Sequence, residues 1–202
     1  MTFNPKQLVS NYFKKKKPFG IITDLLFVVL LLLFVIPATR KDTAAFFIRL
    51  TSFSASTLDS DEQFAVNSQT LDWQLYDLQG NNASFESLND KPIFLNIWAT
   101  WCPPCIAEMP SIQALYEDYG DKVNFIIVSN EGPEKVQHFA KEQQYEGLPF
   151  YLSASLPHDF STNSIPATFI VSADGRVLVS KKGAARWNSG TTRDLLDKLI
   201  NE

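Results

Sequence analysis

Residues 25–36 read LLFVVLLLLFVI, without a polar atom in any side chain, inside an apolar run from Ile21 to Ala38. A helix that is apolar on every side has no face to offer water, so this run constrains the chain more than any other segment. At a rise of ~1.5 Å per residue the run spans about 27 Å, close to the hydrocarbon thickness of a bilayer. Asp24 lies in its first turn, where a carboxylate reaches the interface and meets the positive end of the helix dipole. A buried core helix fits poorly beside the tetralysine Lys14–Lys17. A cleaved signal peptide is the closer competitor, but the run is long for that role and Ile36-Pro37-Ala38 is a poor small-x-small cleavage site. We read residues 21–39 as an uncleaved transmembrane anchor. Lys6 and Lys14–Lys17 outnumber Arg40 and Lys41, which makes residues 1–20 a cytoplasmic basic tail and places everything beyond the anchor outside the cytoplasm. The expected location is the cell membrane, the inner one where there are two.

Residues 40–68, rich in Ser, Thr and Ala, read as a tether; Ala44–Leu50 is apolar enough to lie on a membrane surface or to continue the helix. A globular body is expected over residues 69–202. Leu71 to Tyr76 alternates with period two, and Gln79-Gly80-Asn81-Asn82 supplies a turn before Ala83 to Leu88. Ile93 to Trp98 is mostly apolar on both faces, as a buried central strand is, and Val123 to Ser129 reads as a second buried strand. Helices are predicted over Cys105 to Tyr119, Pro133 to Tyr145 and Thr191 to Ile200, the last capped by Thr191 or Thr192. Phe150 to Leu152 is a short strand. Asp174-Gly175 joins Thr168–Ser172 to Val177–Lys181 as a hairpin. This order describes an α/β sandwich with a mixed sheet.

Charge narrows the function classes. Residues 1–50 carry eight Lys/Arg against Asp24 and Asp42, a balance of +6, whereas the remainder carries ten against twenty Asp/Glu, a balance of −10. An acidic body lacks the basic surface needed to displace counterions from phosphate, so no nucleic-acid partner is expected. Two cysteines exclude a disulfide-rich scaffold, and with two histidines no metal site is expected. His138 and His158 read as solvated surface groups, and Arg186 and Trp187 receive no chemical role.

The two cysteines stand in Trp101-Cys102-Pro103-Pro104-Cys105, where a buried strand hands over to a helix. Such a pair can close a small disulfide ring or open to a dithiol. At a helix start the free N–H groups and the positive dipole end favour thiolate. Half of a zinc site would need two more ligands, and a four-residue ring restrains little chain entropy as a structural crosslink. The redox reading is preferred.

Residues 93–105, IFLNIWATWCPPC, resemble the active-site strand and motif of the thioredoxin superfamily, and most of all its membrane-anchored TlpA/ResA-like thiol–disulfide oxidoreductases. The similarity runs over about residues 71–202. Ser164-Ile165-Pro166-Ala167-Thr168 resembles the family's cis-proline loop, and Ser172-Ala173-Asp174-Gly175 its following hairpin. The resemblance implies a thioredoxin-like fold, a central mixed β-sheet flanked by helices with an N-terminal hairpin extension, preceded here by one transmembrane helix. It implies that Cys102 is an exposed nucleophile attacking a partner disulfide, and that Cys105 is the buried thiol that resolves the mixed disulfide. Pro166 would pack as a cis-proline against the sulfurs, with the Ile165 backbone pairing with an extended substrate segment. Trp101 would be a partly exposed aromatic shoulder; ordinary core packing is its alternative. Where cytoplasmic thioredoxins carry a buried aspartate, this chain has Asn96, which cannot carry a proton. Glu108 takes the position of the family's active-site glutamate and, if buried, would act as general base; a glutamate serving the helix dipole is the alternative. Pro103 and Pro104 have no N–H, so an N-cap Cys102 would have Cys105 N–H as its nearby donor.

The expected function is a membrane-tethered thiol–disulfide oxidoreductase with no cofactor beyond the Cys102–Cys105 disulfide. Its direction is read as protein-disulfide reduction, with electrons from a membrane donor and with disulfide-bearing or dithiol proteins as partners. The family implies cytochrome c maturation or envelope redox homeostasis as settings. An oxidase or isomerase is the alternative. A peroxiredoxin-type thiol peroxidase, using Thr100, and a copper-handling protein are remoter ones.

Overall fold

The computed structural model describes residues 17–59 and 61–202. Most of the basic tail, including Lys6 and Lys14–Lys16, lies outside the described residues. The chain divides into two units at Thr43/Ala44.

In the first unit, α1 (Pro18–Val35) is long and apolar enough to cross a membrane and has no buried residue. It starts earlier than Ile21, because Pro18 at the first helical position has its φ preset and lacks only an N–H that would be unpaired there. It stops before Ala38, because Pro37 forces Ile36 to an extended backbone of φ −72° and ψ 120°. Residues 37–51 then form α2 (Pro37–Thr51), so the first part of the stretch read as a tether is helical.

The second unit packs the rest of α2 into its own core. Ala45 and Ala55 are buried, Ile48 packs against the main cluster, and Arg49 Nε donates to Ala107 O at 3.3 Å. Backbone bonds from Leu58 N to Leu178 O and from Arg186 N to Phe53 O fasten the following segment. Residues 44–58 are therefore structural parts of the body. Their tertiary partners, Ala107, Leu178 and Arg186, are too distant in sequence to announce this beforehand.

The remaining elements are β1 (Phe64–Ala65), α3 (Ser68–Leu71), β2 (Gln74–Asp77), β3 (Asn82–Ser84), β4 (Ile93–Ile97), α4 (Pro103–Tyr119), β5 (Asn124–Ser129), α5 (Pro133–Glu142), β6 (Phe150–Leu152), β7 (Ala167–Val171), β8 (Arg176–Lys182) and α6 (Gly190–Ile200). The eight strands among the described residues form one mixed sheet in the order β1-β8-β7-β4-β5-β6-β2-β3. β4 is central, parallel to β5 and antiparallel to β7. All five of its residues are buried, as its two-faced apolar sequence requires. Ile93, Leu95 and Ile97 feed one apolar cluster and Phe94 the other, which holds α4 and α6. By the alternation of a strand, Asn96 shares the face of Phe94 and looks toward α4.

Two boundaries differ for reasons of capping. Leu71 does not begin β2: Asn67 caps the short α3 by accepting from Thr70 N, and Asp159 in turn holds Asn67 and Thr70 from 92 and 89 residues away. Ser189, rather than Thr191 or Thr192, caps α6 by accepting from Thr192 N. The β7–β8 hairpin turns at Gly175, whose φ of +83° favours glycine.

Candidate active site

β4 ends at Ile97, and five residues later Cys102 caps α4. Its backbone is extended, and its sulfur accepts from Cys105 N at 3.3 Å. The next two positions are the prolines 103 and 104, so the first turn offers this sulfur the donor of Cys105 and none from its own N1 and N2. Cys102 and Cys105 form a disulfide.

Opposite lies the loop leading into β7. The Ile165–Pro166 peptide is cis, Pro166 is buried, and Ile165 O lies 3.8 Å from Cys102 Sγ. Register accounts for this approach: Ile97 pairs with Ala167, so the residues before β7 meet the residues after β4. Trp101 is 58% exposed, which makes it a surface aromatic and not a core residue. Beside it a groove of about 370 Å³ is lined by Trp98, Trp101, Ser129, Asn130, Ser155 and Ile165, among others. Thr100 is held from β5's loop, its N–H and hydroxyl donating to Glu131 at 2.7 and 3.0 Å.

Exposure barely separates the two sulfur residues, at 3% for Cys102 and 0% for Cys105. The expectation of an exposed Cys102 is corrected: the residue is buried, with Ile165 O 3.8 Å from its sulfur. What distinguishes Cys102 is its cap position and its contact with the loop.

Glu108 is 2% exposed, which is far from a helix-dipole glutamate at the surface, and it sits beyond the first turn of α4. Asn96 Nδ2 donates to Oε1 at 2.7 Å, while Trp187 Nε1 and Ala185 N donate to Oε2 at 3.0 and 3.3 Å. Burial raises its pKa to about 7 against the lowering effect of the Trp187, Asn96 and Ala185 donors. A carboxyl poised there takes or gives a proton near neutral pH.

Trp187 and Thr168 were missed in the sequence. Trp187 is fully buried and lies 79 residues from Glu108 in the chain. A buried indole N–H demands an acceptor, but nothing in the sequence says which. Thr168 reaches Asn96 because β7 pairs it directly opposite on β4.

A prediction arises from the two prolines. Pro104→His restores an N–H at the second helical position, able to donate to the Cys102 thiolate. A bond to a charged acceptor is worth about 1.5–3 kcal/mol, so the Cys102 pKa is expected to fall by about one unit or more. Stabilising the reduced form by about 1.4 kcal/mol makes the disulfide more oxidising by roughly 30 mV. Thiolate absorbance against pH measures the first effect, and an unchanged or higher pKa refutes the account.

A redox disulfide at a helix start, at the end of a central strand and under a cis-proline loop, defines a thioredoxin-like thiol–disulfide oxidoreductase. Residues 60–199 match the Redoxin family, and the chain belongs to it. Among its relatives, the thiol-disulfide oxidoreductase ResA of Halalkalibacterium halodurans is 31% identical over 138 residues, 65% of this chain and 73% of that one. The thioredoxin-like protein YneN of Bacillus subtilis is 32% identical over 53% of this chain, which spans 65% of its length. Among solved structures, a putative thiol-disulfide oxidoreductase from Bacteroides vulgatus superposes with a TM-score of 0.54 at 26% identity, over 66% of this chain and 99% of that one. The resemblance to TlpA/ResA-like oxidoreductases and the thioredoxin-like fold are thus borne out.

Proposed function

We propose that this protein is a membrane-tethered protein-disulfide reductase working outside the cytoplasm. The observation that carries this reading is the pairing of a cap-position sulfur, Cys102, with a buried carboxyl near neutral pKa, Glu108, on one helix. The Cys102 thiolate attacks a partner disulfide; a Cys102–partner S–S bond forms and the partner's other sulfur leaves as thiolate. Cys105 then loses its proton to Glu108 and attacks Cys102. The Cys102–Cys105 bond closes, the partner's second sulfur leaves, and two electrons have passed to the partner. Trp101 and the groove beside it receive the substrate segment, which the Ile165 backbone and Pro166 align by strand addition. Pro103 and Pro104 moderate the acidity of Cys102.

The apolar α1 (Pro18–Val35) supports a single-pass anchor, and the thioredoxin-like domain is the body that begins at Ala44. Outside the cytoplasm, disulfides persist unless something reduces them. One tethered redox pair therefore needs a membrane protein as electron donor and no bound cofactor beyond its own disulfide. Apocytochrome c thiols, or other envelope proteins, fit as substrates. Thr100, the residue a peroxidase reading would use, has its hydroxyl on Glu131.

The reduction potential of the Cys102–Cys105 pair in the detergent-purified full-length protein tests the direction. A value near that of thioredoxin, about −270 mV, is expected; one near about −120 mV belongs to an oxidase and overturns the reading.

A further inference from the structure

Glu108 and Asn96 meet where water does not reach, at 2% and 0% exposure. Every hydrogen-bond partner of the carboxylate is a donor: Asn96 Nδ2 on Oε1, Trp187 Nε1 and Ala185 N on Oε2. That arrangement suits the anion. A protonated Glu108 carries an O–H that needs an acceptor. An indole N–H and a backbone N–H can only donate, so Oε2 has no place for the proton and it must sit on Oε1, facing Asn96. There it meets Nδ2, another donor.

Asn96 itself holds the remedy. Its Oδ1 is buried and has no hydrogen-bond partner among the described residues, while Nδ2 also donates to Thr168 Oγ1 at 2.8 Å. A half-turn of the amide exchanges Oδ1 and Nδ2. Oδ1 then accepts from the Glu108 O–H and, once the Thr168 hydroxyl rotates, from that group too. The far edge of the amide lacks a partner in either orientation, so the two orientations differ in what they offer Glu108 and Thr168.

We propose that Asn96 and Thr168 form a proton-following pair: the amide turns its Nδ2 to ionised Glu108 and its Oδ1 to protonated Glu108. The inference rests on the reading of Glu108 as the group that exchanges the Cys105 proton. Asn96 is thereby a positioning residue that keeps the carboxyl hydrogen-bonded through both halves of that exchange. An aspartate at 96 would place a second carboxyl against Glu108, and the two would titrate as a coupled pair. The asparagine leaves a single proton in the pocket.

Other groups do not compete for this role. From α4, Cys105 is locked in the disulfide, and from α2, Arg49 Nε bonds Ala107 O. Arg186, between Ala185 and Trp187, is exposed, and β4 and β7 contribute the neutral Asn96 and Thr168.

The test is proton-exchange-resolved NMR of the oxidised full-length protein in detergent micelles, where the cysteines do not titrate. Between pH 5 and 9 the Asn96 Nδ2 protons are expected to show contacts with the Thr168 methyl above the Glu108 midpoint and to lose them below it, with one shared midpoint. Glu108→Gln, which presents an N–H to Asn96 at every pH, is expected to abolish those contacts throughout. Contacts that persist through the Glu108 titration overturn the proposal. Alkylation of Cys105 against pH in reduced Cys102→Ser separates the two ideas. If that profile carries a Glu108 step while the amide stays fixed, only the amide inference fails; if it carries none, the base role fails first.

Discussion

Cys105→Ser is expected to convert the protein into a trap that accumulates mixed disulfides with its partners, whereas Cys102→Ser accumulates none. The reason is positional. Cys102 caps α4, receives the Cys105 N–H and lies 3.8 Å from the backbone oxygen of Ile165, a residue that lines the groove, while Cys105 is wholly enclosed. The cap position and the contact with the loop before β7, not exposure, make Cys102 the sulfur that a partner disulfide is expected to meet. With serine at 105 the first exchange proceeds and the resolving attack does not, because a serine hydroxyl is not ionised near neutral pH and does not displace sulfur. With serine at 102 there is no entry point, and exchange with a model protein disulfide is expected to fall by at least ~10³-fold. Non-reducing electrophoresis of cells expressing each full-length variant reads the outcome. Conjugates on Cys102→Ser instead would invert the roles.

Glu108→Gln is expected to remove a pH-dependent loss of stability. The folded pKa is about 7, raised by burial from an ordinary value of 4.5. Below pH 4.5 the group is protonated in both folded and unfolded chains and contributes no difference. Between 4.5 and 7 the unfolded chain releases the proton while the folded one keeps it, so stability falls as pH rises through this window. Above 7 both are ionised and the loss levels off at about 3 kcal/mol, at ~1.4 kcal/mol per unit. Glutamine does not titrate. The difference in unfolding free energy between variant and wild type, both oxidised and followed by urea from pH 4 to 9, should rise through the window and then flatten, since all other groups cancel. A difference independent of pH would show that Glu108 is ionised as readily folded as unfolded. The same variant is expected to slow mixed-disulfide resolution near pH 7 by about 10²-fold, the ordinary scale for losing a positioned base.

Local chemistry was legible in the residues themselves. An eighteen-residue run that is apolar but for Thr23 and Asp24, behind four lysines, calls for a long apolar helix, and IFLNI, mostly apolar on both faces, for a central strand. Two prolines after Cys102 remove two donors whatever surrounds them, so the single donor at its sulfur could be read before any fold was known. Glu108 was singled out by the family resemblance, which places an active-site glutamate three residues past Cys105 on the same helix. The other inferences need only short range: helical and strand periodicity, and the donors that each residue type carries.

Distance along the chain decided the rest. Whether Glu108 is a surface charge or a buried acid depends on Trp187 and Ala185, which approach it from a segment more than seventy residues away, and on Asn96, which looks at α4 because of the pleat of β4. Residues 44–58 read as a tether by composition, yet they are fastened to the body by Ala107, Leu178 and Arg186. The reactive pair itself was written in five consecutive letters. The dry pocket that sets the proton affinity of its neighbour exists only once β4, β7, α4 and the 183–189 segment exclude water together, and desolvation belongs to that assembly and to no residue alone.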